Sequence, residues 1–147
     1  MKYITNIDTI SALLDRLVTE NIKLYFFNKD NLIDKIDHQI IVIEEIKKKL
    51  TETLSSIIKE NKYDYISEKR TYSEDDILES IEELIFSDIT TGEGDRDNLK
   101  EATSDNPNLD KFVFNHKKIR KANERRASAK NKIDERFKDI IENGPES

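Results

Sequence analysis

Between Ile33 and Ile57 one line of positions recurs in alternating steps of three and four: Ile33, Ile36, Ile40, Ile43, Lys47, Leu50, Leu54 and Ile57. That alternation keeps a side chain on the same side of an α-helix through more than three heptads, whereas a strand repeats every two residues and cannot bury such a line. A helix from about Asp30 to Glu60 is predicted. The stretch before it behaves the same way, with Ile7, Ile10, Leu14, Leu17, Asn21 and Leu24 on one seam and Leu13, Val18 and Ile22 widening it. This first helix should begin at Asp8 or Thr9, either of which can cap exposed amides, and end near Phe27. A turn as short as Asn28 to Asn31 between two amphipathic helices predicts an antiparallel hairpin over residues 1–60.

The rest of the chain is expected to be helical as well. Only three Gly and two Pro punctuate 147 residues, too few for the turns of a sandwich or barrel. Charged residues reach 38%, yet Ile, Leu, Phe and Val still make up 41 of the 147, enough to hold a core. Residues 61–89 read as a tyrosine-bearing connector followed by an acidic helix over about Glu74–Ser87, with Ser73 as its start signal and Ile77, Leu78, Ile81, Leu84 and Ile85 as its buried face. Residues 90–108, with two of the glycines and one proline, read as a mobile acidic loop. A long basic helix over 109–142 stops at Asn143, Gly144 and Pro145. Its seam runs through Phe112, His116, Ile119, Ala122, Arg126, Ala129 and Ile133, so His116 is expected at the edge of the core and His38 in solvent. The expectation is one all-α, four-helix, bundle-like domain over 1–147: a helical hairpin, a short third helix and a long basic C-terminal helix.

Composition closes several chemistries. Without cysteine there is no disulfide, thiolate metal site or thiol nucleophile, and two histidines 78 positions apart make no triad with the serines present. No apolar run approaches a membrane span, and Met1 to Asp8 lacks the pattern of a signal peptide, so no membrane partner and a cytoplasmic location are expected. Glu44 and Glu45, with Glu79, Glu82, Glu83 and Asp88 further on, resemble in part the EExxE and ExxD acids of the all-helical nucleotide pyrophosphohydrolases. That resemblance would imply a magnesium-dependent enzyme, but Lys48 stands where the third acid belongs. Glu93, Asp95, Asp97 and Glu101 lack the first Asp, sixth Gly and twelfth Glu of a helix-loop-helix calcium site. No catalytic residue, metal ligand or cofactor is assigned.

Charge is the feature with a mechanism. Residues 60–110 hold 16 acids against 5 bases, and residues 111–138 hold 11 bases against 3 acids. Lys117, Lys118, Arg120, Lys121, Arg125, Arg126, Lys130 and Lys132 are the candidate surface, either neutralised by the acidic block, bound to an acidic protein, or bound to nucleic acid. Within it, Asn123 to Asn131 (NERRASAKN) resembles faintly the basic region of leucine-zipper transcription factors, without a zipper after it. Polar residues on a seam fix register and partner number, so Asn21 and Lys47, with Ile36, Ile40, Ile43 and Leu50, predict an oligomer or core seam and a homodimer. The function expected is a non-enzymatic helical interaction or assembly protein whose partner is itself or another protein, with a nucleic-acid accessory protein as the alternative and a pyrophosphohydrolase-like enzyme a distant third.

Overall fold

The computed structural model describes residues 9–65 and 77–144 and consists, over those residues, of α1 (Ile10–Lys29), α2 (Ile33–Glu60), α3 (Ile77–Ala102) and α4 (Leu109–Asn143). The ends follow local chemistry. The Thr9 hydroxyl accepts from the Ala12 amide at 3.1 Å, and the Asn108 side chain accepts from Lys111 at 3.1 Å, each satisfying an amide that a first helical turn leaves unpaired. Asn61 ends α2 in the left-handed region at φ 53°, which asparagine tolerates better than most residues, and Gly144 ends α4 at φ 81°. The Ser73 start signal, Ile7, Asp8 and Pro145 lie outside the described residues.

The helices form two hairpins. In the first, the Gln39 amide of α2 donates to the Glu20 backbone carbonyl at 2.8 Å and to its carboxylate at 2.6 Å, locking α1 against α2. The second, α3 with α4, is the most extensive pairing, and α1 packs onto both of its helices. Ile10, Ile57, Tyr63, Leu84, Ala129 and Ile133 meet at one end of the bundle, with Leu14, Leu50, Leu54, Ile81 and Phe137 packed around them.

The buried line of α2 is rotated from the predicted one. Gln39, Ile43, Ile46 and Ile57 are buried, Ile36 and Leu50 are half-buried, and Ile40 and Lys47 are exposed. Burying the Lys47 ammonium would strip its water without a buried acid to replace it, whereas the Gln39 amide finds Glu20 and Ile46 adds apolar area. Asn21 is likewise exposed, so neither polar seam residue is buried within the chain. Ile40→Asp, at a site 44% exposed, is accordingly expected to change unfolding free energy by less than about 1 kcal/mol, while Ile43→Asp should cost several, as read by urea denaturation.

The third helix is not short, and most of residues 90–108 is not a loop: α3 continues through Gly92 and Gly94 to Ala102. Gly94 serves close packing here. A Cβ at that position would stand 2.6 Å from Ile119 Cγ1, so the missing side chain is what lets α4 approach. The turn is confined to residues 103–108, where the Glu101 carboxylate accepts from the Asn108 amide at 2.5 Å. Gly94→Ala adds a good helix former yet should destabilise by about 1–3 kcal/mol, because the overpacking against Ile119 outweighs the ~1 kcal/mol gained in propensity. A raised melting temperature would contradict that. Along the start of α4, Phe112 and His116 are exposed and Asn115 is buried, so the predicted seam holds only from Ile119 onward. His116 lies in solvent because α3 meets the Asn115 side of the helix.

Candidate functional site

At the start of α1 three separate segments converge. The Ser11 amide and hydroxyl donate to the two Asp134 oxygens at 3.0 and 2.5 Å, and the Tyr63 hydroxyl donates to Asp134 Oδ1 at 2.6 Å. The same phenol oxygen accepts from the Ile10 amide at 2.8 Å. Two otherwise unpaired amides of α1 are thus satisfied by residues 53 and 123 positions away, and a carboxylate sits at the positive end of the helix dipole. Burial raises the Asp134 pKa, although the bonds from Ser11 and Tyr63 pull against it, and burial together with Asp134 raises that of Tyr63, which stays a neutral donor.

One turn further along α1 and two turns back along α4, the helices α1, α3 and α4 bring together Asp15, Asp88 and Arg126. The Arg126 guanidinium holds Asp15 with Nε 2.8 Å from both carboxylate oxygens and Nη2 2.5 Å from Oδ2. Its Nε also stands 3.1 Å from Asp88 Oδ1, and Lys130 Nζ stands 4.0 Å from Asp15. Both carboxylates are buried. Desolvation and the neighbouring Asp15 push Asp88 far above the ordinary carboxylate range, to about 8, against the pull of Arg126 and Lys130. The cluster therefore carries a proton at neutral pH and holds two acids beside one guanidinium. Burial works against the Arg126 charge, but Asp15 and Asp88 outweigh it and raise its pKa.

Beside this interior lies a surface groove of about 820 Å³ between α1 and α3. Leu17, Val18, Ile22 and Tyr25 form one wall, and Ile85 and Ile89 the other. Tyr25 is 60% exposed and Ile85 and Ile89 are open to solvent, so no element of the described chain covers the groove. Its polar edge carries Lys29, Glu93, Arg96 and Asp97. Arg96 is already spent, 2.7 Å from Asp30 and 4.5 Å above the Phe26 ring.

The eight predicted basic residues divide. Lys117, Lys118, Arg120, Lys121 and Arg125 are exposed, whereas Arg126, Lys130 and Lys132 are half-buried on the side facing the bundle. Arg126 is thus an internal counter-ion, drawn in by acids that an apolar pattern does not reveal. Acidic-block residues approach the helix at three places, Asp88 beside Arg126, Glu83 at 3.8 Å from Arg125 and Glu101 at 3.8 Å from Lys111, but the charge that pairs with Arg126 is that of Asp15, from the charge-balanced first segment. The Asp134 and Asp15 clusters were not singled out from sequence; Ser11 and Asp15, spaced i to i+4 beside an apolar seam, were the only local sign. The acids of the pyrophosphohydrolase resemblance do not gather, since Glu44, Glu45, Glu79 and Glu82 all face solvent. Among the described residues no group of three or more His, Cys, Asp or Glu is placed to hold a metal ion, and no helix is long and apolar enough to cross a membrane. No family model, curated protein or solved structure matches this chain.

Proposed function

We propose that the protein is a non-enzymatic helical interaction module whose α1–α3 groove receives an apolar-striped helix of another protein, with basic side chains beside the stripe. The uncovered groove carries this reading: aliphatic walls on two rigid helices are what a helix-in-groove interface requires. Leu17 to Lys29 spans roughly 18 Å of helix axis at about 1.5 Å per residue, room for more than three turns of a guest. Charge selects the guest's flank. Glu93 and Asp97 on the α3 edge make no ion pair among the described residues, whereas Arg96 is occupied by Asp30, so two unspent acids stand against the single cation Lys29 and the balance is negative.

The test uses two designed peptides of about 18 residues, roughly 27 Å as a helix and so long enough to cover the whole span. Both carry the same leucine stripe, one flanked by lysine and the other by glutamate, and binding is followed by fluorescence anisotropy. The lysine peptide should bind, the glutamate peptide at least tenfold more weakly, and Ile89→Glu should remove binding of the first, as loss of an apolar anchor does. Equal affinity for both peptides, or binding untouched by Ile89→Glu, would overturn the assignment. Light scattering supplies the third outcome: a dimer dispersed by Ile89→Glu would give the groove to a second copy instead.

A further inference from the structure

A different face of the α3–α4 hairpin carries a smaller cavity, of about 210 Å³, with an unusual lining. Lys118, Lys121 and Arg125 follow one another at helical spacings of three and four along α4, so the three side chains line one wall. Ala122, a buried residue of α4, lies between them in the chain and also lines the cavity. From α3 come Ser87, Thr90 and Phe86. Ser87 is only 1% exposed, and its hydroxyl has no hydrogen-bond partner, although a buried polar group ordinarily has one. Phe86 is 57% exposed, a ring held at the rim with its surface in water. Lys118 and Lys121 make no ion pair among the described residues, and Arg125 has only the loose 3.8 Å contact with the exposed Glu83.

We infer that this cavity is a phosphate cradle for a nucleotide, with Lys118, Lys121 and Arg125 on the phosphate, the Ser87 hydroxyl donating to it, and the base on the Phe86 ring. Three cations and an unused hydroxyl thus belong to residues lining one cavity, and an arginine fork beside two lysines is the donor set that phosphate favours. The cavity is smaller than the ~300 Å³ needed to enclose a whole drug-sized ligand, so only the phosphate end enters and the flat base is left to the exposed ring. Aromatic stacking beside cations is how single-stranded nucleic acid is held without sequence preference, and a free nucleotide offers the same chemistry.

Calorimetric titration of the full chain at low salt, with adenosine monophosphate, adenosine, inorganic phosphate and an oligothymidylate of about 12 nucleotides, separates the sources. Adenosine monophosphate or the oligonucleotide should bind at least tenfold more tightly than inorganic phosphate, and adenosine should not register. Binding of the monophosphate identifies a free nucleotide; binding of the oligonucleotide alone identifies a polynucleotide strand. The double variant Lys118→Gln, Lys121→Gln should lose at least tenfold, whereas Lys117→Gln with Arg120→Gln, the same charge removed outside the cavity, should stay within about twofold. Phe86→Ala should weaken the nucleotide and leave inorganic phosphate unchanged. All these side chains are exposed, and unchanged helical circular dichroism confirms folding. Equal losses in the two double variants, or no binding of either nucleotide probe, would overturn the proposal.

Discussion

Asp134→Ala should lower the free energy of unfolding by about 3–5 kcal/mol, one of the two largest losses expected from a single side chain outside the apolar core. Removing the carboxylate leaves the Ser11 amide and the Tyr63 hydroxyl without their acceptor and the Ser11 hydroxyl with only Thr9 Oγ1 at 3.2 Å, all in a region closed to water. Each stranded donor costs roughly 1–3 kcal/mol, and partial relaxation keeps the total below the sum. Tyr63→Phe should cost less, because it deletes one donor and strands only the Ile10 amide. The two losses should be strongly non-additive in a double-mutant cycle, since the phenol and the carboxylate act on the same helix start. Urea denaturation followed by circular dichroism reads both. An Asp134→Ala protein within about 1 kcal/mol of the parent would show that the Asp134 bonds do not hold α1 in place.

Arg126→Ala should be of comparable size, about 3–5 kcal/mol near neutral pH, because it leaves Asp15 and Asp88 buried without their guanidinium. Replacing Asp15, Asp88 and Arg126 together by apolar residues of similar volume should cost far less than Arg126→Ala alone, which separates an unpaired charge from lost packing. The same cluster sets a pH dependence. In the unfolded chain an aspartate releases its proton near pH 3.9, whereas Asp88 in the fold keeps its proton up to about pH 8. Between those values the folded state binds more protons than the unfolded one, so the contribution of Asp88 to stability is greatest below pH 4 and is lost as pH rises towards 8. The slope from one such proton is at most about 1.4 kcal/mol per pH unit, and Asp88→Asn should flatten it. Asp134, also raised, adds to the slope in the same direction. Stability that climbs steadily between pH 5 and 8 in the parent protein would contradict the protonated pair.

Sequence by itself determined three of the four helices. The three-and-four spacing over Ile33–Ile57, the cap at Thr9 and the stop at Gly144 placed α1, α2 and α4 to within a few residues, because such signals act over one or two turns of chain. It also located opposite charge blocks, and several pairs between α3 and α4 join them. Tertiary structure alone decided three other matters. Whether Gly94 breaks a helix or admits a neighbour depends on Ile119 lying opposite it, and local propensity knows nothing of Ile119. The face of α2 that is buried turned on Gln39 finding Glu20 in α1, while Lys47 found only Glu44 on its own helix. Which of the many charged residues go inside was settled by Arg126 meeting Asp15 and Asp88, and Asp134 meeting Ser11 and Tyr63. A buried charge survives only where a partner is delivered to it, and these partners come from up to 123 residues away.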